Sequence, residues 1–161
     1  MGFFSKLFGK STDCIGAPVA GKAVSIKEVS DPTFGEEILG KGIAIQPTDG
    51  KVVAPCDCTV DMMFDTGHAV SLVADCGAEI LIHIGLDTVK LAGKHYTIHA
   101  HNGDKLKKGE LLMEFDVEAI KAEGYDVITP VVICNSGDYS TFNTFVDKTV
   151  AAGDTVIELA K

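Results

Sequence analysis

Two histidines flank a stretch of chain that is typical of a β-hairpin, and their spacing would allow them to act together. His68 and His83 enclose two apolar runs separated by Cys76-Gly77, a pair suited to a two-residue loop because glycine tolerates a positive φ angle. That loop would place Val70 opposite His83, with His68 on the same face two residues earlier. The two imidazoles would then be diagonal neighbours, with Cα atoms about 7–8 Å apart.

Paired neutral imidazoles can supply a nucleophile, a general base or metal ligands. His83 follows the apolar run Ile80-Leu81-Ile82, and such surroundings lower the pKa of a histidine, which keeps the ring unprotonated and nucleophilic at neutral pH. His68 could donate a hydrogen bond to an arriving anionic group, and the hydroxyl of Thr66 could fix the tautomer of His68. The spacing alone equally allows two histidines that are simply buried in a β core.

The elements that must position these histidines are short strands. From residue 15 onward, apolar runs alternate with Gly, Pro, Asn and Asp, a spacing typical of an all-β sandwich or barrel. The candidate strands are 22–29, 42–46, 51–55, 58–64, 69–74, 79–84, 95–100, 110–115, 127–134 and 155–160. One helix is predicted at 117–123, where Asp116 can cap the first turn and Gly124 can end it.

Two short patterns occur twice in the chain. Ala17-Pro18 is echoed by Ala54-Pro55, and Gly103-Asp104 is echoed by Gly153-Asp154, each time beside an apolar run. We interpret each pair as one turn used twice, which indicates a duplicated β architecture.

The composition excludes several classes of protein. The chain has 161 residues, 46% of them hydrophobic, which is enough for one domain with a buried core. Its net charge is −9 and all 14 basic residues are lysines, so a nucleic-acid binder is not expected. No stretch approaches the roughly 20 apolar residues of a membrane span.

The five cysteines are an odd number, and no secretory signal precedes them, which favours free thiols in a reducing cytoplasm. The lone Cys56-Asp57-Cys58 pattern lacks the second pair of a zinc site, so we expect small, partly buried thiols there. Residues 1–14 are predicted to be a flexible segment before the domain at 15–161. The apolar positions in residues 1–10 could form a weak amphipathic membrane anchor or belong to an unanchored tail.

Several motifs in combination resemble one protein family. Leu81-Ile82-His83-Ile84-Gly85-Leu86-Asp87-Thr88-Val89 is similar to the signature of the glucose-type enzyme IIA component of the bacterial phosphoenolpyruvate:sugar phosphotransferase system. Other matching segments lie both before and after this one: Gly42-Ile43-Ala44-Ile45-x-Pro47, Val53-Ala54-Pro55, Thr66-Gly67-His68-Ala69, Gly103-Asp104-x-Leu106-x-x-Gly109 and Thr129-Pro130-Val131-Val132. The resemblance extends from about residue 15 to the C-terminus.

The resemblance implies an antiparallel β-sandwich with one or two short helices. It implies that His83 carries a phosphoryl group on Nε2 and that His68 supports this group by hydrogen bonding. The donor would be the phosphorylated histidine-containing phosphocarrier protein, and the acceptor a cysteine of the sugar-specific IIB domain of a permease. The chain also begins with Met and ends just after the domain, so we expect a free-standing component.

The family docks both partners on an apolar patch around the histidines with an acidic rim. The matching positions in this sequence are Phe34, Ile38, Phe64, Leu81, Asp31 and Asp87. No metal or other cofactor is needed for such a transfer. In enteric relatives the unphosphorylated protein also binds regulatory targets, and the two histidines can share a zinc ion with a partner's carboxylate. Lys90 stands where some members carry an acidic residue.

Three other functions compete with this interpretation. His83-x-x-x-Asp87 together with His99-x-His101 mimics the zinc ligands of lysostaphin-like metallopeptidases, although those enzymes act outside the cell. The turn around Gly103 also resembles that of biotinyl or lipoyl carrier domains, but no lysine has the required Met-Lys-Met setting. A purely regulatory binding protein would not need both His68 and His83.

Overall fold

The computed structural model describes residues 12–161, and short strands dominate this part of the chain. The fourteen strands are β1 (Asp13–Gly16), β2 (Gly21–Ser25), β3 (Lys41–Pro47), β4 (Lys51–Val53), β5 (Cys58–Met63), β6 (Ala69–Ala74), β7 (Glu79–His83), β8 (Tyr96–Ile98), β9 (Lys105–Leu106), β10 (Leu111–Phe115), β11 (Thr129–Ile133), β12 (Thr141–Thr144), β13 (Lys148–Val150) and β14 (Thr155–Ala160). The α-helices are α1 (Pro32–Gly35) and α2 (Val117–Ala122). Single 3₁₀ turns lie at Ile26–Glu28, Thr88–Leu91 and Ser136–Asp138.

All pairings between these strands are antiparallel, which confirms the predicted fold class. One sheet has eight strands in the order β13-β2-β3-β11-β7-β6-β5-β9. Two three-stranded sheets, β1-β14-β12 and β4-β10-β8, accompany it. A single buried core joins the three sheets, because Ile15 and Ile157, Val52 and Leu112, and Ile80 all belong to it.

The outer face of the eight-stranded sheet carries a second, smaller apolar cluster. Along β7, Ile80 and Ile82 belong to the main core, while Leu81 packs against this second cluster. The segment after β2 covers it and contributes Phe34. Because side chains alternate along a strand, His83 at the end of β7 lies on the same face as Leu81, next to this covering segment.

The repeated sequence patterns do form repeated structure. Gly16 N–H donates to the Pro55 carbonyl at 2.8 Å, and Val53 N–H donates to the Pro18 carbonyl at 2.7 Å, so the two Ala-Pro segments bind each other reciprocally. In the other pattern, Asp104 accepts from the N–H of His101 at 2.8 Å.

The equivalent bond joins Asp154 to the N–H of Ala151 at 2.9 Å. A third copy, in which Glu110 accepts from the N–H of Lys107 at 2.8 Å, was missed in the sequence because its acid is a glutamate. These bonds agree with the interpretation of each pattern as one turn used more than once.

Several element boundaries differ from the prediction. The strand expected at 22–29 ends at Ser25, because Ser25 accepts a hydrogen bond from Lys27 N–H and starts a 3₁₀ turn. Strands β1, β9, β12 and β13 were missed. Helix α2 lies where it was predicted, with Asp116 accepting from Ala119 N–H at 3.0 Å.

The predicted domain start at residue 15 falls inside β1, where Asp13 pairs with Leu159. Residues 1–11, with the proposed amphipathic anchor, lie outside the described residues.

The hairpin register predicted for the two histidines is wrong by one residue. Ala74 N–H donates to the Ala78 carbonyl at 2.8 Å, which makes the loop three residues long. Asp75 joins the loop because its N–H is bound to the Asp57 carbonyl at 2.9 Å instead of pairing across the hairpin. As a result Ala69, rather than Val70, lies opposite His83.

Candidate functional site

His83 is held in one tautomer by the backbone that follows it. Its Nδ1 lies 2.6 Å from the carbonyl oxygen of Gly85. A carbonyl oxygen can only accept, so Nδ1 must carry the proton and Nε2 must carry the free lone pair. The half-buried ring therefore has its unprotonated nitrogen, a potential nucleophile, at Nε2.

The loop after β7 fixes the Gly85 carbonyl from both sides. Gly85 has a φ of 85°, and a Cβ on it would lie 2.5 Å from Cγ2 of Thr88, so only glycine fits. The Ile84 carbonyl before it accepts hydrogen bonds from Thr88 Oγ1 at 2.7 Å and from the Tyr96 hydroxyl at 2.8 Å. Leu86 N–H donates to the carbonyl of residue 126 at 2.9 Å. Both peptide groups next to Gly85 are thus held in place.

Thr88 and Tyr96 were not recognised as positioning residues from the sequence. Thr88 lies within the motif that suggested the family. It is completely buried, and its hydroxyl donates to a backbone carbonyl inside the fold. Tyr96 carries no local signal, because its hydroxyl reaches a carbonyl twelve residues earlier in the chain. Its side chain also lies beside the turn that precedes His68, since a Cβ on Gly67 would be 2.9 Å from Cβ of Tyr96.

The structure brings the two imidazoles together, as expected, but by a different route from the predicted register. The ring centroids of His68 and His83 are 5.2 Å apart, with an interplanar angle of 78°. His68 precedes β6 and follows Gly67, whose φ is 73°, so the alternation of a regular strand does not fix its direction. The Thr66 hydroxyl is hydrogen-bonded to Nδ1 of His68, as predicted. If that hydroxyl donates, Nε2 of His68 carries the proton.

Both rings prefer the neutral state. Burial lowers the pKa of His68 to about 4, and the neighbouring His83 adds to the effect. Burial also lowers the pKa of His83, although its bond to Gly85 and the carboxylates of Asp31 and Asp87 act in the opposite direction. At neutral pH the site therefore presents two uncharged imidazoles.

Apolar side chains surround the histidine pair. Phe34 lies against His83 with ring centroids 5.0 Å apart, and Phe64 lies against His68 at 5.3 Å. Phe34 is only 5% exposed, so it supports the ring of His83 more than it forms surface. Ile38 and Phe64 are 68% and 36% exposed and can meet another molecule. Leu81 is half-buried against the cluster that contains Phe34.

An acidic cavity of about 590 Å³ adjoins the site. Asp31, Asp87 and Asp126 line it, together with Lys90 and Tyr125. Asp31 also caps α1 by accepting from Thr33 N–H at 3.0 Å, which fixes its position. Asp87 has a φ of 59° and directly precedes the 3₁₀ turn. The cavity combines three carboxylates with one lysine.

The ligand set of a zinc hydrolase is not assembled. No group of three or more His, Cys, Asp or Glu side chains in residues 12–161 is arranged to hold a metal ion. His99 instead pairs with the partly exposed Glu114 at 2.9 Å, and His101 is exposed on the following turn. The hydrolase interpretation therefore has no support.

Comparison with known proteins identifies the family of this chain. The sequence model of the phosphoenolpyruvate-dependent sugar phosphotransferase system, EIIA 1, matches residues 13–139. The chain belongs to this family.

Its relatives include free-standing proteins and parts of larger ones. The glucose-specific EIIA component of the phosphotransferase system of Staphylococcus epidermidis is 40% identical, with 96% of each chain covered. The beta-glucoside-specific EIIBCA component of Dickeya chrysanthemi is 50% identical over 76% of this chain. The match covers 20% of that relative, so the chain spans about a fifth of its length. The solved glucose permease IIA from Mycoplasma capricolum superimposes with a TM-score of 0.86 at 30% identity, covering 92% of this chain and 96% of the other.

Family membership gives the chain a role in the phosphoenolpyruvate-dependent sugar phosphotransferase system. EIIA domains of this family need no cofactor for this role. Among the helices of residues 12–161, none has the length and hydropathy needed to cross a bilayer.

We predict that the low pKa of His68 makes the protein acid-sensitive. The unfolded chain binds this proton at a pKa near 6.5 and the folded chain at about 4, so acid favours unfolding. The contribution of neutral His68 to the free energy of unfolding is fully present above pH 6.5. Between pH 6.5 and pH 4 that free energy falls by up to about 1.4 kcal/mol per pH unit. Urea denaturation of wild type and His68→Gln across this range should show a shallower pH slope in the variant. Equal slopes would contradict the assignment, as would an NMR midpoint for His68 at or above 6.5.

We predict that Tyr96→Phe lowers the free energy of unfolding by about 1 kcal/mol, because it removes one of two donors to the Ile84 carbonyl. Tyr139→Phe is a matched control, since the buried hydroxyl of Tyr139 has no hydrogen-bond partner in the described structure. Its removal should be neutral or slightly stabilising. Denaturant titrations that show the same loss for both variants would refute the role of the Tyr96 hydroxyl.

Proposed function

We propose that Nε2 of His83 accepts the phosphoryl group and passes it on as a phosphohistidine. The observation that carries this proposal is the hydrogen bond from His83 Nδ1 to the Gly85 carbonyl, which leaves the lone pair on Nε2. The lowered pKa of His83 supports it, because the ring stays nucleophilic at neutral pH.

His68 stabilises the charge on the transferred group. With Thr66 donating to Nδ1 of His68, the Nε2–H of His68 is free to donate to a phosphoryl oxygen. The ring centroids are 5.2 Å apart, which is close enough for one phosphoryl group to contact both imidazoles. Such fixed donors reduce the barrier of phosphoryl transfer by positioning and charge stabilisation.

The donor is the phosphorylated histidine phosphocarrier protein, and the acceptor is a cysteine thiolate of the IIB domain. In the first step the N–P bond of the donor breaks as the bond to His83 Nε2 forms. In the second step that bond breaks and an S–P bond forms on the cysteine. The presence of IIB in the name of the Dickeya chrysanthemi relative supports this acceptor. Because a thiol acceptor must stay reduced, we place the reaction in the cytoplasm.

The two partners dock in turn over the exposed apolar side chains next to the histidines. Ile38 and Phe64 supply exposed apolar surface, and Leu81 and Phe34 support it from below. The carboxylates of Asp31 and Asp87 would attract a basic partner at the rim, so association should weaken as salt increases. The choice of sugar lies with the permease, since only a phosphoryl group is exchanged at this site.

We predict that His83→Gln cannot be phosphorylated. Wild type incubated with phosphoenolpyruvate, enzyme I and the phosphocarrier should gain one acid-labile phosphoryl group, measured by intact mass. His99→Gln is the matched control, because His99 is exposed and paired with Glu114. It should be phosphorylated normally.

The proposal fails if His83→Gln, shown to be folded by circular dichroism, still gains the group. It also fails if wild type gains none while the partners phosphorylate a known IIA protein.

We predict that His68→Gln accepts the phosphoryl group but transfers it to IIB at least about tenfold more slowly, because a charge-stabilising donor is lost. Thr66→Val should give an intermediate rate, since His68 remains but its tautomer is no longer fixed. Single-turnover transfer from the purified phosphoprotein measures this step directly. A wild-type transfer rate in His68→Gln would exclude the supporting role.

A further inference from the structure

Three cysteines surround a surface cavity that phosphotransfer does not use. Cys14, Cys56 and Cys76 line a cavity of about 450 Å³, together with Asp75 and Lys108. Cys56 lies just before β5, and Cys76 lies in the loop between β6 and β7.

The register of β5 with β6, extended beyond the two strands, would set two of these cysteines opposite each other. The ladder places Cys58 opposite Ala74. It continues for one more pair, because Asp75 N–H donates to the Asp57 carbonyl at 2.9 Å. Cys56 precedes Asp57 and Cys76 follows Asp75, so the same register extended by one residue would place these two cysteines opposite each other.

Burial supports this pairing. Side chains two residues apart share a face, so Cys56 should lie on the face of Cys58, and Cys76 on that of Ala74. Cys58 and Ala74 are both buried in the main core. Cys56 and Cys76 are partly buried, and both pack against that same core. Residues opposite each other in an antiparallel pair have Cα atoms about 4.5–5.5 Å apart, within the range that a disulfide spans.

We propose that Cys56 and Cys76 form a reversible disulfide by exchange with a small-molecule disulfide. The thiolate of Cys76, in the hairpin loop, attacks the small disulfide and releases one thiolate, which leaves a mixed disulfide on Cys76. The sulfur of Cys56 then attacks the Cys76 sulfur and displaces the second thiolate. The protein loses two hydrogens, and one molecule of disulfide becomes two molecules of thiol.

The environment of Cys56 favours its role in the second, internal step. Burial raises the pKa of Cys56 to about 12, with the nearby thiols and carboxylates adding to the effect. A thiol that is protonated at neutral pH is a poor first attacker, but it can still resolve a mixed disulfide held beside it. We therefore expect the exchange to accelerate at alkaline pH.

The disulfide would close a loop that contains His68 without reaching the histidine pair. Thr66 and His68 lie between β5 and β6 at one end of the ladder, and the two cysteines lie at the other end. Cross-linking the unfolded chain between Cys56 and Cys76 reduces its conformational entropy, so the oxidised protein should melt at a higher temperature. The phosphorylation rate of the oxidised protein should stay within about twofold of the rate of the reduced protein, because the contacts of His83 are unchanged.

The test is glutathione disulfide added to the reduced, purified full chain, followed by intact mass and disulfide mapping. Trypsin leaves Cys56, Cys58 and Cys76 on one peptide, because the nearest lysines are Lys51 and Lys90. Cleavage after the methionines at 62 and 63 and before Asp57 separates the three cysteines. We expect the fragments of Cys56 and Cys76 to stay linked until a reductant is added.

Cysteine-to-serine variants then distinguish the Cys56–Cys76 disulfide from disulfides between other cysteines. Cys56→Ser should stop at the mixed disulfide, whereas Cys14→Ser and Cys134→Ser should still lose two hydrogens. A link that involves Cys14 or Cys58 would overturn the proposal, as would mixed adducts alone in the wild-type protein at alkaline pH. The mapping needs no variant to fold, and it is independent of whether His83 is the phosphorylated residue.

Discussion

The hydrogen bond from His83 Nδ1 to the Gly85 carbonyl is the interaction on which the chemistry of the site depends. An imidazole alone can present either nitrogen, and its neutral tautomers interconvert freely in water. Here the acceptor belongs to the backbone of the same chain, two residues away, so the choice is made by the loop conformation. That conformation requires glycine at position 85.

The rest of the fold keeps this acceptor in place. His83 lies at the end of β7, a central strand of the eight-stranded sheet, on the outer face of that sheet. The Thr88 and Tyr96 hydroxyls both donate hydrogen bonds to the carbonyl of Ile84, the residue before Gly85. Tyr96 comes from β8, a strand of a different sheet, and its Cβ also lies close to Gly67 beside His68. One residue thus connects the two halves of the site. Rigid support of this kind holds the His83 ring in a single orientation.

The sequence predicted the fold class, the helix cap at Asp116 and the contact of Thr66 with His68, because each of these depends on local spacing. It did not predict the hairpin register. That register depends on a hydrogen bond between Asp75 and Asp57, residues in different elements, which no local pattern reveals. The adjacency of the histidines was predicted through that wrong register; in the structure His68 directly precedes β6 and follows Gly67, whose φ is 73°. The role of Tyr96 was missed for the same reason, since its partner is remote in the chain.

The central claim is that Nε2 of His83 carries the phosphoryl group because Nδ1 is committed to Gly85. The most direct test is a long-range ¹H–¹⁵N NMR spectrum of the uniformly ¹⁵N-labelled phosphorylated protein, which distinguishes the two ring nitrogens. The account predicts phosphorus on Nε2 and a retained proton on Nδ1 of His83. Phosphorus on Nδ1, or on any other histidine, would contradict it.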